Sequence, residues 1–219
     1  MPEQLAIVPV DHDPGVGPAG AGTWARLLAA HVDRSAGRRR GVPDHRPSAA
    51  ILACSDARVP PSVIFDQPAG ELFVVRIAGN SASAEAVASL TYAVEVLGVD
   101  TIVVLGHTHC GAVAAAAAGS CTGALAPIVE PICRLAIDHP QLDPIALGEL
   151  HVRRTVRALA VGAGPFAAAI RRGELSVVGA VHDLEEGRIS MLETAPATIN
   201  PDTSERTVSS TIPHLSEAS

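Results

Sequence analysis

Cys54, Asp56 and Arg58 occupy alternate positions in the stretch Cys-Ser-Asp-Ala-Arg, and His107 and Cys110 stand three apart in Gly-His-Thr-His-Cys-Gly. Thiolate, imidazole and carboxylate are the groups that zinc binds in tetrahedral sites, and three protein donors with one position left open make the arrangement of a catalytic zinc. Cys54, His107 and Cys110 are therefore candidate metal ligands, with Asp56 as a fourth, oxygen donor. Taken singly they say little: a cysteine closing a buried strand is usually a small apolar side chain, and a loop histidine is usually only polar. The metal reading requires all four to meet at one place, which is a demand on the fold.

Four short apolar runs meet that demand. Residues 49–54, 72–77, 101–106 and 175–181 have the length and continuous apolarity of strands buried on both faces, the mark of a parallel sheet. Helices are predicted between them, one over 82–98 ending at Gly98 and one over 148–162 with its basic residues toward solvent. Residues 183–188 read as a turn into a last strand that begins at Ile189 and pairs antiparallel. The predicted fold is α/β, a mostly parallel sheet with one antiparallel edge strand, flanked by helices. In such sheets ligands sit beyond the carboxyl ends of the strands. Cys54 ends the first strand and the His107 segment follows the third, so both arrive at one rim, where Gly106 and Gly111 are expected to permit close backbone passage.

The 219 residues suit one domain, read as 21–194, between flexible arms at 1–20 and 195–219 that are rich in Pro, Gly, Ser and Thr. A net charge of −7 with 2% aromatic residues argues against nucleic acid, and residues 38–40, the basic cluster, read as a solvated helix end. Residues 101–129 hold no Asp, Glu, Lys or Arg, yet His107, His109, Ser120, Thr122 and two glycines break them into strand, Ala-rich helix and turn, so no membrane span is expected. The N-terminus lacks the basic region of a signal peptide, which points to a cytoplasmic protein. In that compartment the four cysteines are expected as thiols, with Cys121 and Cys133 on core or helix faces.

The stretches Ala-Cys-Ser-Asp-Ala-Arg-Val, Glu-Leu-Phe-Val-Val-Arg-Ile-Ala-Gly-Asn and Gly-His-Thr-His-Cys-Gly-Ala-Val closely resemble the β-class carbonic anhydrases, with their C-x-D-x-R, F-V-x-R-x-x-x-N and G-H-x-x-C-G patterns. The resemblance covers roughly residues 24–193. It implies Zn²⁺ held by Cys54, His107 and Cys110, with Asp56 and Arg58 as a dyad: zinc-bound hydroxide, oriented by Asp56, attacks carbon dioxide and gives bicarbonate and a proton, while Arg58 grips the Asp56 carboxylate. It implies a pocket for the substrate from Phe73 and Ala78, with Val59 beside the dyad and Gly111 after the second cysteine. It also implies a homodimer or homotetramer with the site at the subunit interface, using the helix around residues 24–28. His45 stands where the family often carries a substrate-donating glutamine, and keeps a donor only in one tautomer or when protonated. Ile51 stands where one subgroup with an inhibitory bicarbonate site carries tryptophan. Hydrolysis of carbonyl sulfide or carbon disulfide on the same ligands, and a non-catalytic zinc-binding or bicarbonate-sensing module, are the competing readings.

Overall fold

β-Branched and small apolar residues form five strands, and the order in which they pair decides where the chemistry can sit. In this computed structural model, which describes residues 18–35, 42, 44–161 and 164–194, the chain divides into two compact units, Met1–Pro43 and Asp44–Ser219. The first contributes helix α1 (Pro18–Ser35), with Trp24 and Leu27 exposed. Residues 38–40, most of the expected N-terminal arm and the C-terminal tail lie outside the described residues.

The second unit carries strands β1 (Ala49–Ala53), β2 (Leu72–Arg76), β3 (Thr101–His107), β4 (Ser176–His182) and β5 (Ile189–Thr194) in the order β2-β1-β3-β4-β5. The first four are mutually parallel, and β5 runs antiparallel to β4. The expected α/β architecture is borne out. After the short helix α2 (Pro61–Ile64), helix α3 (Ala84–Glu95) begins where the Ser83 side chain accepts the Ala86 N–H, and Gly98, at φ 73°, turns the chain just beyond its end. Helix α6 (Pro144–Ala160) starts earlier than predicted because Asp143 caps it and Pro144 opens it. Both helices pack on one face of the sheet, where Leu90, Val152, Val156 and Leu159 meet Leu52, Ile102, Val104 and Val177. Each such side chain contributes about 1.5–3 kcal/mol by leaving water. No helix among the described residues is long and apolar enough to cross a membrane.

Three expectations are corrected. Cys121 and Cys133 are joined in a disulfide with Cα atoms 6.0 Å apart, because helix α5 (Ala126–Asp138) folds back on helix α4 (Gly111–Ala117) and brings the two positions together. Arg153, expected to face solvent, donates through Nη1 to the Leu192 carbonyl of β5 at 2.8 Å and ties the last strand to α6. Gly111 is not a site of close passage, since a Cβ there would meet nothing within 4 Å.

Gly106 does permit the close approach expected of it. A Cβ on Gly106 would lie 2.6 Å from Val152 Cγ2, so α6 rests directly on the β3 backbone beside His107. Gly106→Ala is expected to destabilise the fold by about 1–3 kcal/mol through overpacking. In a Val152→Ala background most of that cost should vanish, a non-additivity that urea unfolding of the four proteins of the cycle will measure.

Candidate metal centre

Parallel pairing of β1 with β3 sets Ala53 beside Leu105, so the chain leaves both strands at the same rim, with Cys54 just beyond β1 and His107 closing β3. His109 adopts φ 56° and turns the chain so that Cys110 returns to the same point. The ligand atoms of Cys54, His107 and Cys110 all lie within 4.8 Å of one another, and all three residues are buried. The two sulfurs are 3.9 Å apart. His107 Nδ1 lies 2.8 Å from the Thr108 carbonyl, which can only accept, so Nδ1 carries the proton and donates. That leaves the Nε2 lone pair bare, buried and without a hydrogen-bond partner among the described residues. The turn itself is anchored to β4, with Thr108 N–H donating to the His182 carbonyl and Leu184 N–H to Thr108 Oγ1, both at 3.0 Å.

Burying an unpartnered imidazole nitrogen is costly unless something binds it. One free nitrogen facing two buried thiols fits a zinc ion, with the other imidazole nitrogen oriented by a backbone carbonyl as in metal-binding histidines. The electrostatics agree. The Cys110 thiol, His107 and the backbone N–H groups of Gly79 and Asp56 lower the pKa of Cys54 against the effect of burial. Cys110 is pushed up, by its hydrogen bond with Cys54 and by burial. Without a cation the pair therefore shares one proton. Burial opposes charge on His107, but the Cys54 thiolate and the Thr108 carbonyl outweigh it and raise its pKa.

Asp56 stands apart from the three donors. Arg58 Nε and Nη2 donate to Asp56 Oδ1 and Oδ2 at 2.9 and 2.7 Å, and the Arg58 backbone N–H adds a third bond to Oδ1 at 2.9 Å. These bonds hold the Asp56 carboxyl far below the usual carboxylate range. Asp56 Oδ2 lies 4.0 Å from His107 Nε2, so the carboxylate borders the pocket without joining the donor set. Arg58 Nη2 also donates to the His109 carbonyl at 3.0 Å, linking the two loops. Arg76, at the end of β2, donates to the carbonyls of Cys54 (2.9 Å) and Asp56 and braces the loop from below. This bracing was not read from the sequence.

The remaining candidates divide. Val59 packs in the same buried cluster as Cys54 and Cys110. Ala78 opens the short 3-10 turn Ala78–Asn80, whose Gly79 N–H donates to Cys54 Sγ at 3.3 Å. Gly111 is the exposed first residue of α4. Phe73 pairs with Ala50 near the opposite end of β1 from Cys54, and the His45 ring stacks on it with centroids 6.3 Å apart. The Tyr92 ring is tilted against Phe73 with centroids 6.2 Å apart. Within one chain His45 and Phe73 thus form a separate aromatic cluster and do not converge on the metal ligands.

Residues 49–189 match the carbonic anhydrase family. Carbonic anhydrase 2 of Mycobacterium tuberculosis is 37% identical over 165 residues, spanning 72% of this chain and 78% of that protein. Among solved structures, a tetrameric β-carbonic anhydrase of Sordaria macrospora superposes with a TM-score of 0.63 at 28% identity, covering 80% of this chain and 91% of its own. A β-carbonic anhydrase of Aspergillus fumigatus gives 0.64 at 27% identity, covering 84% and 93%. A mostly parallel sheet presenting two cysteines and a histidine at one rim is the β-class arrangement, and this chain belongs to the β-class carbonic anhydrases.

A second histidine lies behind the centre. His151 projects from α6 into the core, where its Nε2 lies 2.9 Å from the Gly79 carbonyl and 3.2 Å from Ser81 Oγ. Burial lowers its pKa from 6.5 to about 4, against a smaller opposing effect of the Gly79 carbonyl. Between those values the unfolded chain binds a proton that the folded protein excludes, so stability falls as pH drops from about 6.5 to about 4 and levels off below. The loss amounts to about 3 kcal/mol. His151→Gln is expected to flatten this window in a plot of urea midpoint against pH, and an unchanged slope would show that His151 titrates normally in the fold.

Proposed function

We propose that Cys54, His107 and Cys110 hold zinc and that Asp56, locked by Arg58, orients the nucleophile in the reversible hydration of carbon dioxide to bicarbonate. Carbonic anhydrase activity follows from family membership. The observation that supports the finer reading is the two-point Arg58 fork on a carboxylate whose Oδ2 also lies 4.0 Å from the bare His107 nitrogen. Bound zinc would supply a Lewis acid that makes water nucleophilic near neutral pH. Asp56, ionised throughout the working range, can only accept hydrogen bonds, so it fixes the direction of a hydrogen on the nucleophile. Arg58 keeps both carboxylate oxygens occupied and so prevents Asp56 from competing as a fourth donor. Val59 gives the site an apolar wall suited to uncharged carbon dioxide.

A purely structural zinc site closes with four protein donors. Here three donors gather, and the nearest carboxylate is engaged elsewhere, which weighs against a non-catalytic module. The separate His45–Phe73–Tyr92 cluster supports a homodimer or homotetramer in which these side chains serve the site of a second copy, since they cannot serve the one on their own chain without moving along the strand.

Stopped-flow carbon dioxide hydration with metal content measured on the same samples tests this. Cys54→Ser, His107→Ala and Cys110→Ser should each lose most bound zinc. Asp56→Ala should retain zinc yet hydrate at least about 100-fold more slowly, the scale of a positioned proton acceptor. Arg58→Ala should fall as far, because its carboxylate is then free to occupy the open position. Wild-type rates in Arg58→Ala would reduce the dyad to a surface ion pair.

A further inference from the structure

The buried histidine of α6 plays no part in the chemistry described above, yet it is one residue removed from it. Gly79 connects the two: its N–H donates to Cys54 Sγ at 3.3 Å, and its carbonyl lies 2.9 Å from His151 Nε2. A carbonyl can only accept, so His151 Nε2 carries the proton, and the imidazole is a neutral donor. Ser81 Oγ, also 3.2 Å from Nε2, is placed to give its own hydrogen to the Ile128 carbonyl of α5 at 3.2 Å, which leaves it an acceptor too. One N–H of His151 is thus shared between the two ends of the turn that carries Gly79.

That turn has reason to need an external hold. Gly79 sits at φ 73°, and a Cβ there would lie 2.9 Å from Ile132 Cδ1 and 3.2 Å from Ala112 Cβ. The position therefore requires glycine both for its backbone conformation and for the space between α4 and α5. Glycine is also the residue with the greatest torsional freedom, and the peptide that follows it is held at both edges: the Asn80 N–H donates to the Ile77 carbonyl at 2.9 Å, and the Gly79 carbonyl accepts from His151.

We infer that His151 is a positioning residue for the metal centre: by holding the Gly79 carbonyl it keeps the Gly79 N–H aimed at the Cys54 sulfur. The hydrogen bond stabilises negative charge on the ligand thiolate, and outer partners of this kind commonly change metal affinity by about 10-fold or more. Burial, which keeps His151 neutral at working pH, preserves the role by leaving no second charge in the core. The inference rests on Cys54, His107 and Cys110 holding metal.

Release of zinc to a chromogenic chelator, together with the thiolate-to-metal charge-transfer band of the cobalt-substituted enzyme, tests it. His151→Asn, whose amide is too short to reach Gly79, should release zinc about 10-fold faster than wild type and shift the cobalt band. His151→Gln, which returns an N–H near the Nε2 position, should restore both readouts to nearly wild type. His151→Leu makes the same comparison with an apolar side chain should the Asn variant fail to fold. Val156→Ala, on the same helix and buried in the same core, reports a merely structural loss and should leave both readouts unchanged. Wild-type release and an unshifted band in folded His151→Asn or His151→Leu would overturn the role, as would an equal effect from Val156→Ala. A wild-type protein that retains no zinc would overturn the metal reading itself, an outcome distinct from zinc-loaded variants that behave alike.

Discussion

The structure depends on keeping an uncompensated lone pair inside the protein. His107 Nε2 is buried and unpartnered, and beside it lie two sulfurs that cannot both be neutral and both be useful as donors. A folded chain left to itself would satisfy such a nitrogen with the nearest donor or let water reach it. Here the polar groups of the surrounding loops are engaged with other partners. Thr108 takes the other ring nitrogen, Gly79 gives its N–H to Cys54, and Arg58 gives its fork to Asp56. The Thr108 carbonyl fixes the tautomer that leaves Nε2 unprotonated, while the Gly79 and Arg58 donors are committed to Cys54 and Asp56.

Two arginines divide this work in a way their shared chemistry does not require. Arg76 reaches from the end of β2 and binds backbone carbonyls of Cys54 and Asp56, fixing where the loop runs. Arg58 lies within the loop and binds a carboxylate and the His109 carbonyl, fixing how the loop's side chain points and tying it to the turn that supplies Cys110. Loss of the first would displace a ligand, whereas loss of the second would release an acid. A lysine would serve poorly at either place, since both depend on two donors in a fixed plane.

Much of this was legible in the chain because parallel strands advertise themselves by continuous apolarity and because their ends must coincide. Cys54 and His107 could be brought together from the lengths of β1 and β3 alone, and the three motif stretches named the family. Legibility failed where meaning lies in tertiary contact. Helix α5 went unread because Pro127 and Pro131 punctuate its sequence: Pro127 stands in the first turn, where proline is well tolerated, but Pro131 lies inside the helix. His151 follows Leu147 on the buried stripe of α6 and could have been flagged as a polar residue in an apolar row, but nothing local says which carbonyl it meets. The Cys121–Cys133 bond was missed for a different reason: the expectation of reduced thiols came from an inferred compartment, and compartment is weaker guidance than two helices folding back on each other.

That disulfide belongs to the same mechanical problem as His151. Helix α4 starts at the residue after Cys110, and the disulfide fastens the segment that follows its other end to α5. Helix α5 carries Ile132, and α4 carries Ala112, the two side chains that close around the Cα of Gly79. The space that admits only glycine at residue 79 is therefore defined by a pair of helices that are covalently joined near one end. His151, from α6, reaches Gly79 from a third element. A single backbone N–H aimed at a ligand sulfur is in this way located by three helices, none of which supplies that donor itself.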